Sequence, residues 1–412
     1  MKKVVVTGMG IISPVGNDIN TYFNNLCDGV VGIDEITRFD TTEYKAKLAA
    51  EVKDFDAEAY GIPKKEARRM DLYSQYAMAA AKQAVEDSNI IGQVEPERFG
   101  VYVGSGIGGM HTFVTETEKL IEKGPKRISP FFIPMMISNM AAGNIAIAFG
   151  AEGATLPVVT ACATSTNAIG EAFRAIKHGY ADAIITGGAE AAIEPLAIAG
   201  FISCQALSLS TDKTRASIPF DKERNGFIMG EGAGILVLEE KEHAQKRGAT
   251  IYAEIVGYGN TCDAYHITAP HPEGKCAAKA MRMAAEEADI STEDKVYINA
   301  HGTSTPLNDA SETVAIKLAL GEEKAKESLV SSTKSMTGHM LGAAGAAEAI
   351  ASILAMKNEI IPPTMGLKEA DPACDLDYVP NQARKESPTL VLSTSLGFGG
   401  HNACIAFRKG EA

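Results

Sequence analysis

The sequence has no tryptophan, no Cys-x-x-Cys pair and no long apolar run, and each absence excludes a class of protein. Its seven cysteines are scattered and odd in number, which argues against a disulfide framework and a structural zinc site. Thiols that stay reduced are typical of the cytoplasm, where we expect the protein to reside. No stretch reaches the roughly 18 apolar residues that a membrane-spanning helix needs, so we expect no membrane insertion.

Positive charge is also scarce: 39 lysines and arginines are outnumbered by 52 aspartates and glutamates, for a net charge of -13. We therefore expect no nucleic-acid partner, and an acidic partner would need a local basic patch. The opening Met1-Lys2-Lys3 and the short apolar run after it superficially resemble a signal peptide. The run ends too early and no small-residue cleavage site follows, so we interpret it as a first strand.

A glycine-rich stretch at residues 104–109, GSGIGG, satisfies the GxGxxG pattern of dinucleotide-binding sites. Such a site needs an acidic residue at the end of a second strand, about 20 residues after the glycines. Residues 111–123 have helical spacing instead, and no second strand follows at that distance. The stretch therefore does not predict a nicotinamide cofactor, and no phosphate-binding GxxxxGK(S/T) loop occurs in the sequence.

Strand-like segments alternate with helix-like segments along almost the whole chain, which favours an α/β fold. Residues 73–86 have the alanine-rich pattern of a helix, and residues 99–103 have the pattern of a short strand. The alternation restarts with a strand near residue 252, after a basic and polar connection. We therefore predict two halves, residues 1–250 with the reactive cysteine and residues 251–412 with the reactive histidines.

A short pattern occurs twice, once with cysteine and once with histidine: ACATST at residues 161–166 and AHGTST at residues 300–305. Both copies follow an apolar, strand-like run. The repetition suggests two related halves, each of which delivers one reactive side chain at the end of a strand. If a pseudo-twofold axis brings these strand ends together, a thiol and an imidazole share one site, which suits acyl transfer through a thioester.

Cys162, in the first copy, has the setting of a nucleophile. Residues 156–160 have the pattern of a buried strand and residues 163–177 that of a helix, so the thiol lies at a sharp strand-to-helix turn. The helix dipole and nearby N–H groups favour the thiolate there. The alternative is a buried structural cysteine, and this is our interpretation of the other six cysteines.

His301, in the second copy, follows another predicted strand, residues 296–300. A single histidine is more often structural than catalytic. Here the strand end, the flexible Gly302 and the hydroxyls of Thr303 and Thr305 favour a functional site.

Lys334, His339 and Glu348 lie in or just before a helix, predicted over residues 341–357, that is apolar on all sides and therefore buried. A buried carboxylate needs a partner, and Lys334 is the nearest basic candidate in the sequence. His339 precedes the helix, where the dipole disfavours the imidazolium. We therefore expect a neutral imidazole that can donate an N–H.

The stretch GFGGHN at residues 397–402 follows a predicted strand and places Phe398 between glycines. Such a ring can open and close over a pocket. The alternative is an ordinary turn with one packed ring, and the residues alone do not decide between the two.

These segments, together with VVVTGMG at residues 4–10, DKERNGFIMGEG at 221–232 and DAYH at 263–266, are similar to the β-ketoacyl synthases of fatty acid synthesis, in the thiolase superfamily. The similarity spans almost the whole chain. One cysteine with two histidines resembles the elongating enzymes, because the initiating relatives have asparagine in place of the second histidine and thiolases use a second cysteine. Among the elongating enzymes, the type II group is the most similar.

The resemblance implies a thiolase fold: two pseudo-symmetric α/β halves, each with a five-stranded mixed sheet, stacked in α-β-α-β-α layers. It also implies a homodimer and a partner, acyl carrier protein, whose phosphopantetheine arm carries the substrate, so that neither a separate cofactor nor a metal ion is expected. The implied reaction is a decarboxylative Claisen condensation. An acyl group on the enzyme is extended by malonyl-acyl carrier protein to a 3-oxoacyl chain two carbons longer.

The resemblance also implies roles for single residues. Cys162 is the implied nucleophile, and its N–H and that of Phe398 form the implied oxyanion hole. His301 and His339 stabilise the enolate, Lys334 and Glu348 set the local electrostatics, and Phe398 gates the entry of malonyl. The implied substrate-binding residues are Ile107, Thr268, Thr303, Thr305 and Gly399. The implied carrier-docking residues are Lys64, Lys65, Arg68 and Arg69 in one basic group, and Lys123, Lys126 and Arg127 in another, although most such runs are only solvated surface.

Two alternatives remain open on the sequence alone. One is a thiolase-like or polyketide-type enzyme with a different acyl substrate, which mass spectrometry of the products would distinguish. The other is a non-enzymatic scaffold subunit, like the partner chains of some synthases. Those chains lack the nucleophile, so Cys162 argues against it.

Overall fold

The computed structural model describes residues 1–410 and contains an α/β fold built on one large mixed sheet. Numbered in chain order, the strands are β1 (Val4–Ile12), β2 (Asp34–Glu35), β3 (Leu48–Ala49), β4 (Phe99–Gly104), β5 (Ala183–Glu190), β6 (Gly232–Glu240), β7 (Ala253–Cys262), β8 (Val296–Asn299), β9 (Leu329–Ser331), β10 (Ile360–Ile361), β11 (Arg384–Lys385), β12 (Leu390–Gly397) and β13 (His401–Lys409).

The α-helices, numbered in the same way, are α1 (Ile19–Cys27), α2 (Lys64–Ala67), α3 (Leu72–Ser88), α4 (Met110–Lys123), α5 (Phe132–Met136), α6 (Met140–Phe149), α7 (Thr164–Lys177), α8 (Pro195–Ser203), α9 (Lys241–Lys246), α10 (Lys275–Glu287), α11 (Pro306–Leu320), α12 (Glu322–Glu327), α13 (Lys334–Thr337) and α14 (Ala344–Asn358). Two short 3-10 turns, Ala161–Ala163 and Leu341–Ala343, lead directly into α7 and α14. These two turns matter for the site.

The large sheet has the strand order β4-β5-β6-β1-β7-β13-β12-β8-β9, and this order contains one pairing pattern twice. In the first group β4 and β5 are parallel, while the pairs β5–β6 and β6–β1 are antiparallel. In the second group β8 and β12 are parallel, while β12–β13 and β13–β7 are antiparallel. The halves are therefore pseudo-symmetric, and a short antiparallel pairing of β1 with β7 joins them. The division at residue 250 stays a prediction.

Helices α7 and α14 lie between the two groups of strands. Helix α7 contacts β4, β5 and β6 on one side and β7, β12 and β13 on the other, and α14 contacts β5, β6, β12 and β13. On the outer faces, α3 covers the first group and α10 covers the second. This order of layers, α-β-α-β-α, confirms the predicted thiolase-fold architecture.

The two central helices meet near their N-termini, at Gly345. A Cβ atom at this position would lie 2.0 Å from Thr166 Oγ1, so a larger residue would have to displace the Thr166 side chain. Beside this contact, the Ala346 N–H donates to the Ser165 hydroxyl at 2.9 Å. This contact fixes the N-terminal end of α7 against the N-terminal end of α14.

Most predicted segments lie in observed elements of the same type. The helix predicted over residues 73–86 is α3, and the strand predicted over residues 99–103 is β4. The helix predicted over residues 341–357 is the second 3-10 turn followed by α14. The first strand is longer than its apolar run, because β1 continues through its glycines to Ile12.

Residues 156–160 do not form the buried strand that their apolar run predicts. At its start, Thr155 forms an isolated bridge with Val101 of β4, and the Leu156 N–H donates to the Val101 carbonyl oxygen at 2.9 Å. Leu156 and Val159 are 48% and 50% exposed, because the segment lies beyond β4 at the edge of the sheet. The first group thus has four strands and this bridge instead of five strands, whereas the second group has five.

The ACATST and AHGTST copies do not occupy equivalent positions. The Thr-Ser-Thr of the first copy is helical, in α7, whereas the second copy follows β8 and leaves Ser304 in left-handed backbone, with φ +69°. The topology instead relates the turn Ala161–Ala163 to the turn Leu341–Ala343, since each begins at a non-glycine residue of positive φ and leads into a central helix. Two related halves are present, but this sequence repeat does not mark their equivalence.

Two structural observations bear on the setting of the protein. Across residues 1–410, every helix is too short or too polar to cross a membrane. All seven cysteines are free thiols.

Candidate active site

Cys162 lies in the 3-10 turn Ala161–Ala163, directly before α7. The preceding residue, Ala161, has left-handed backbone with φ +51°, which is unfavourable for a residue that carries a Cβ atom. The Thr160 N–H donates to Thr164 Oγ1 at 2.9 Å and helps to close the turn. The sharp turn predicted for the thiol is therefore present, although the segment before it is not a strand.

The hairpin between β12 and β13 packs on this turn. A Cβ atom at Gly397 would lie 2.7 Å from the Thr160 carbonyl oxygen and 3.2 Å from the Cys162 nitrogen, so glycine allows the close approach. The Phe398 N–H of the hairpin faces the Cys162 sulfur and acts to lower the pKa of the thiol. This position is compatible with the predicted oxyanion hole, in which the N–H groups of Cys162 and Phe398 act together.

One cavity of about 330 Å³ brings most of the predicted site together. The predicted residues in its wall are Cys162, Thr268, His301, Thr303, Thr305, His339 and Phe398. Two predicted substrate-binding residues lie elsewhere: Ile107 packs in the apolar cluster that Cys162 also contacts, and Gly399 is exposed on the hairpin. Lys334 and Glu348 are buried and do not line the cavity.

The rings of His301 and His339 meet edge to face, with centroids 5.2 Å apart and planes at 85°. Burial, together with the Lys334 ammonium, holds the pKa of each imidazole well below its usual range, so both rings are neutral near pH 7. The Leu341 N–H donates to His339 Nδ1 at 3.3 Å, which leaves Nε2 as the protonated nitrogen. The neutral state of His339 agrees with the sequence prediction, and burial is the largest cause of its lowered pKa.

Lys334 and Glu348 form a buried ion pair between Nζ and Oε1, as the sequence predicts. Their side chains are only 1% and 2% exposed. Burial raises the pKa of Glu348 to about 7, and the Lys334 ammonium opposes this rise. The same ammonium acts on Cys162, His301 and His339, so it is a main source of the electrostatic potential in the cavity.

The Cys162 thiol is not activated in the way that the sequence suggests. Its pKa is raised to about 12, chiefly by burial and also by the carboxylates of Glu190 and Glu348. The Lys334 ammonium and the Phe398 N–H act in the opposite direction without compensating for burial. Burial therefore favours the thiol over the expected thiolate, because desolvation of the sulfur raises its pKa more than the Lys334 ammonium and the Phe398 N–H lower it.

Sequence reasoning missed two carboxylates that shape the site. Glu312 of α11 accepts hydrogen bonds from the His301 N–H at 2.7 Å and from the Gly302 N–H at 2.8 Å. Glu190, at the end of β5, makes a similar set of bonds near Cys162. Both are acidic residues in buried segments, and that is the signal, already used for Glu348, by which they could have been found.

The predicted docking residues are exposed side chains. Lys64, Lys65, Arg68 and Arg69 lie on and just after α2, Lys123 ends α4, and Lys126 and Arg127 lie in a 3-10 turn after it. The Arg69 guanidinium lies over the Phe131 ring, 4.7 Å from its centroid. Phe131 follows the second basic group in the chain, so the first basic group lies close to that part of the chain. Within residues 1–410 these seven side chains form no ion pair.

In the part of the chain that the structure describes, no group of three or more His, Cys, Asp and Glu side chains is placed to hold a metal ion. The expectation that no separate cofactor takes part in the reaction stays a prediction.

Comparison with solved structures identifies the class of protein that has this architecture and site. The ishigamide ketosynthase/chain length factor superposes with a TM-score of 0.92 at 36% identity, covering 100% of both chains. A beta-ketoacyl synthase from Burkholderia phymatum superposes with a TM-score of 0.91 at 35% identity, again over 100% of both chains. The protein is thus a ketosynthase of the thiolase fold.

Sequence comparison identifies the family. Residues 1–244 match the N-terminal domain of beta-ketoacyl synthase, and residues 252–368 match its C-terminal domain. The chain is 55% identical over 412 residues to 3-oxoacyl-[acyl-carrier-protein] synthase 2 of Staphylococcus aureus, covering 100% of this chain and 99% of that protein. It is 52% identical over 410 residues to the Synechocystis protein of the same name, covering 99% and 98%. The chain belongs to the beta-ketoacyl synthase family.

We predict that the two neutral imidazoles make the folded protein less stable in mild acid. An unfolded chain protonates its histidines below about pH 6.5, whereas buried His301 and His339 resist protonation, so unfolding takes up protons. The free energy of unfolding should therefore decrease as the pH falls from 7 to 5, by up to about 1.4 kcal/mol per pH unit for each imidazole. Urea denaturation at several pH values should give a shallower slope for the His301→Asn/His339→Asn variant.

The variant His178→Asn, at an exposed histidine, is the matched control and should leave the slope unchanged. Equal slopes in the wild type and in the double variant would mean that the two buried rings are protonated in the folded protein.

Proposed function

We infer that this protein is a 3-oxoacyl-[acyl-carrier-protein] synthase of the type II kind, which elongates fatty acids by decarboxylative Claisen condensation. The observation that carries the proposal is one cavity that is lined by a thiol and two neutral imidazoles. Relatives named for this activity match the chain along its whole length.

In the first stage, the Cys162 sulfur attacks the acyl thioester that acyl carrier protein presents. The new bond joins this sulfur to the acyl carbon, and the bond from that carbon to the sulfur of the pantetheine arm breaks. The N–H groups of Cys162 and Phe398 stabilise the oxyanion that forms between these two events. Because the resting residue is a thiol, it has to lose its proton as it attacks, and the departing pantetheine sulfur takes up a proton.

In the second stage, malonyl-acyl carrier protein enters and loses CO2. The electron pair of the broken carbon–carbon bond forms an enolate, whose oxygen accepts N–H hydrogen bonds from His301 and His339. The enolate carbon then attacks the acyl group on Cys162, and the sulfur leaves and is reprotonated. Neutral rings suit this step, because an imidazolium would form an ion pair with the malonyl carboxylate and would oppose its loss.

The remaining substrate contacts follow from the positions of polar groups in the cavity. The hydroxyl oxygens of Thr303 and Thr305 lie 3.0 Å apart in its wall, near Thr268, where they can hold the amides of the pantetheine arm. Phe398 is the proposed gate for malonyl. Ile107 is the proposed end of the acyl pocket, and Gly399 gives the gate its freedom, with φ +89°.

Acyl carrier protein is the proposed partner, and the two basic groups around α2 and after α4 are its proposed docking surface. A type II polyketide ketosynthase solved in complex with its acyl-carrier protein resembles this chain, with a TM-score of 0.90 at 34% identity over 100% of both chains. On a chain with net charge -13, exposed cations that form no ion pair attract an acidic protein to their part of the surface.

A homodimer is part of the proposal. Apolar side chains are exposed on α5, on α6 and along the sheet edge, among them Ile133 at 54%, Ile147 at 80% and Val159 at 50%. A second copy of the chain would bury them. Sedimentation analysis that finds only a 43.5 kDa species would contradict the dimer.

We also propose that the enzyme works in the cytoplasm and without a cofactor of its own, since the pantetheine arm arrives on the partner. A polyketide-type enzyme is the alternative. The solved polyketide ketosynthase is 34% identical to this chain, whereas the two 3-oxoacyl-[acyl-carrier-protein] synthase 2 relatives are 52% and 55% identical, which favours fatty acid elongation.

Replacing Cys162 by alanine should abolish chain extension, because no acyl-enzyme can form, while malonyl decarboxylation continues. Mass spectrometry of the carrier-bound products should show the extended 3-oxoacyl chain with the wild type only. It should show acetyl-carrier protein, formed from malonyl-carrier protein, with both proteins.

The variant His301→Ala/His339→Ala should lose decarboxylation by a factor of about 100 or more, because both enolate donors are removed. Wild-type decarboxylation in this variant would refute the role of the imidazoles. A malonyl-independent product in the wild type would favour the alternative enzyme.

Charge reversal of the docking surface should weaken carrier binding. The variant Lys65→Glu/Arg69→Glu should raise the KM for acyl-carrier protein about tenfold with little change in kcat, and added salt should affect it less than the wild type. The matched control, Lys246→Glu/Lys279→Glu, reverses two exposed lysines on α9 and α10. Equal KM values in both variants would place the carrier elsewhere.

A further inference from the structure

The glycine-rich stretch at residues 104–109, which includes Ile107, surrounds a buried carboxylate. Glu190 is fully buried and accepts a hydrogen bond from the Ser105 hydroxyl at 2.6 Å. It also accepts from the Gly106 N–H at 2.9 Å and the Ile107 N–H at 3.2 Å. Loop N–H groups of the kind that bind phosphate in a dinucleotide site hold an internal anion in this protein.

A fourth donor to Glu190 comes from the other half of the protein. The Gly342 N–H, in the turn Leu341–Ala343, donates to Glu190 Oε2 at 3.0 Å. A Cβ atom at either Gly106 or Gly342 would lie 2.8 Å from that oxygen, so both glycines allow the backbone to reach the carboxylate. One side chain thus joins a loop of the first half to a turn of the second.

Both of these segments lie against the turn that carries Cys162. A Cβ atom at Gly106 would be 3.4 Å from the Ala161 carbonyl oxygen, and the turn Leu341–Ala343 contacts the turn Ala161–Ala163. The backbone of Ala161 is left-handed, and strained conformations of this kind persist only where their surroundings hold them. The loop and the turn fixed by Glu190 are part of those surroundings.

The hydrogen bonds of Glu190 favour its ionised form. All four partners act as donors, and the Ser105 hydroxyl already accepts from the Gly108 N–H at 2.9 Å, so its own proton is directed to the carboxylate. Within residues 1–410, no lysine, arginine or histidine forms an ion pair with Glu190. Burial raises the pKa of Glu190 and these hydrogen bonds oppose the rise, so dipoles alone stabilise the charged form of the carboxylate near the thiol.

We propose that Glu190 is a positioning residue for Cys162, holding in place the segments on both sides of the turn that carries the thiol. Glu190 does not line the cavity, so it does not touch the substrate. The charges of Glu190 and Glu348 both oppose formation of the Cys162 thiolate, whereas the Lys334 ammonium favours the thiolate. The two histidines of the cavity are neutral and add no charge. The inference rests on the proposed role of Cys162 as the nucleophile.

Two substitutions separate the geometric effect from the charge effect. Glu190→Gln keeps the side-chain volume but removes the negative charge, and its NH2 group faces N–H donors with which it cannot bond. Glu190→Asp keeps the negative charge on a shorter side chain. Both should lower the kcat of condensation about 10-fold to 100-fold, because the turn is displaced. Only Glu190→Gln should raise the rate of Cys162 alkylation by iodoacetamide at pH 8, by about threefold. This factor combines more thiolate with the lower nucleophilicity of a more acidic thiol.

Glu231→Gln is the control, because Glu231 is another buried carboxylate away from Cys162. It pairs with Arg38 and accepts from the Tyr76 hydroxyl at 3.1 Å and from the Val52 N–H at 2.9 Å. The control variant should leave the alkylation rate of Cys162 unchanged. If Glu190→Gln does not fold, the test uses the kcat of condensation in Glu190→Asp and in Ser105→Ala. The second of these removes one hydrogen-bond donor to Glu190.

Wild-type kcat values in both Glu190→Asp and Ser105→Ala would overturn the inference. A Glu190→Gln variant with both the wild-type kcat and the wild-type alkylation rate would also overturn it. An equal rise of alkylation in Glu190→Asp would show that the charge has no effect and that the thiol has merely become exposed. Failure of the proposed function would be recognised separately, because the wild type itself would then form no chain-extended product.

Discussion

The close crossing of α7 and α14 is the contact on which the rest of the structure depends. Gly345 lets the two helices touch near their N-termini, and a hydrogen bond from Ala346 to Ser165 fixes their register. Because each helix is buried between the two groups of strands, neither can move without opening the core. Cys162 lies just before one helix and His339 just before the other, so this packing holds the thiol and the imidazole in one cavity.

Burial at this crossing then determines the protonation states. The same desolvation that raises the pKa of the Cys162 thiol lowers the pKa of His301 and His339, since it disfavours whichever form is charged. The thiol and the two imidazoles are thus uncharged at rest, and the Lys334–Glu348 pair lies outside the cavity wall. N–H groups that are fixed in a water-poor cavity act strongly on charge that appears only during the reaction, such as an oxyanion or an enolate.

The pseudo-symmetry of the fold reappears in how its reactive loops are held. Strands β4 and β8 are equivalent, and the loop after each has its N–H groups bound by a buried carboxylate, Glu190 in the first half and Glu312 in the second. The two carboxylates come from different elements, a strand end and helix α11. The halves therefore use one physical solution, an internal anion that organises loop amides, with side chains from unrelated positions.

The amino-acid sequence by itself determined the local elements, the family and the Lys334–Glu348 pair. Alternating periodicities are local, several motifs in order are specific, and a charge in an apolar helix must find a partner. Only the tertiary structure decided that residues 156–160 lie at an exposed edge, that Ile107 lies outside the Cys162 cavity and that the two Thr-Ser-Thr copies are not equivalent. The tertiary structure also decided that burial favours the thiol form of Cys162. The residues that desolvate the sulfur are distant in the chain, so the sequence around Cys162 does not reveal them.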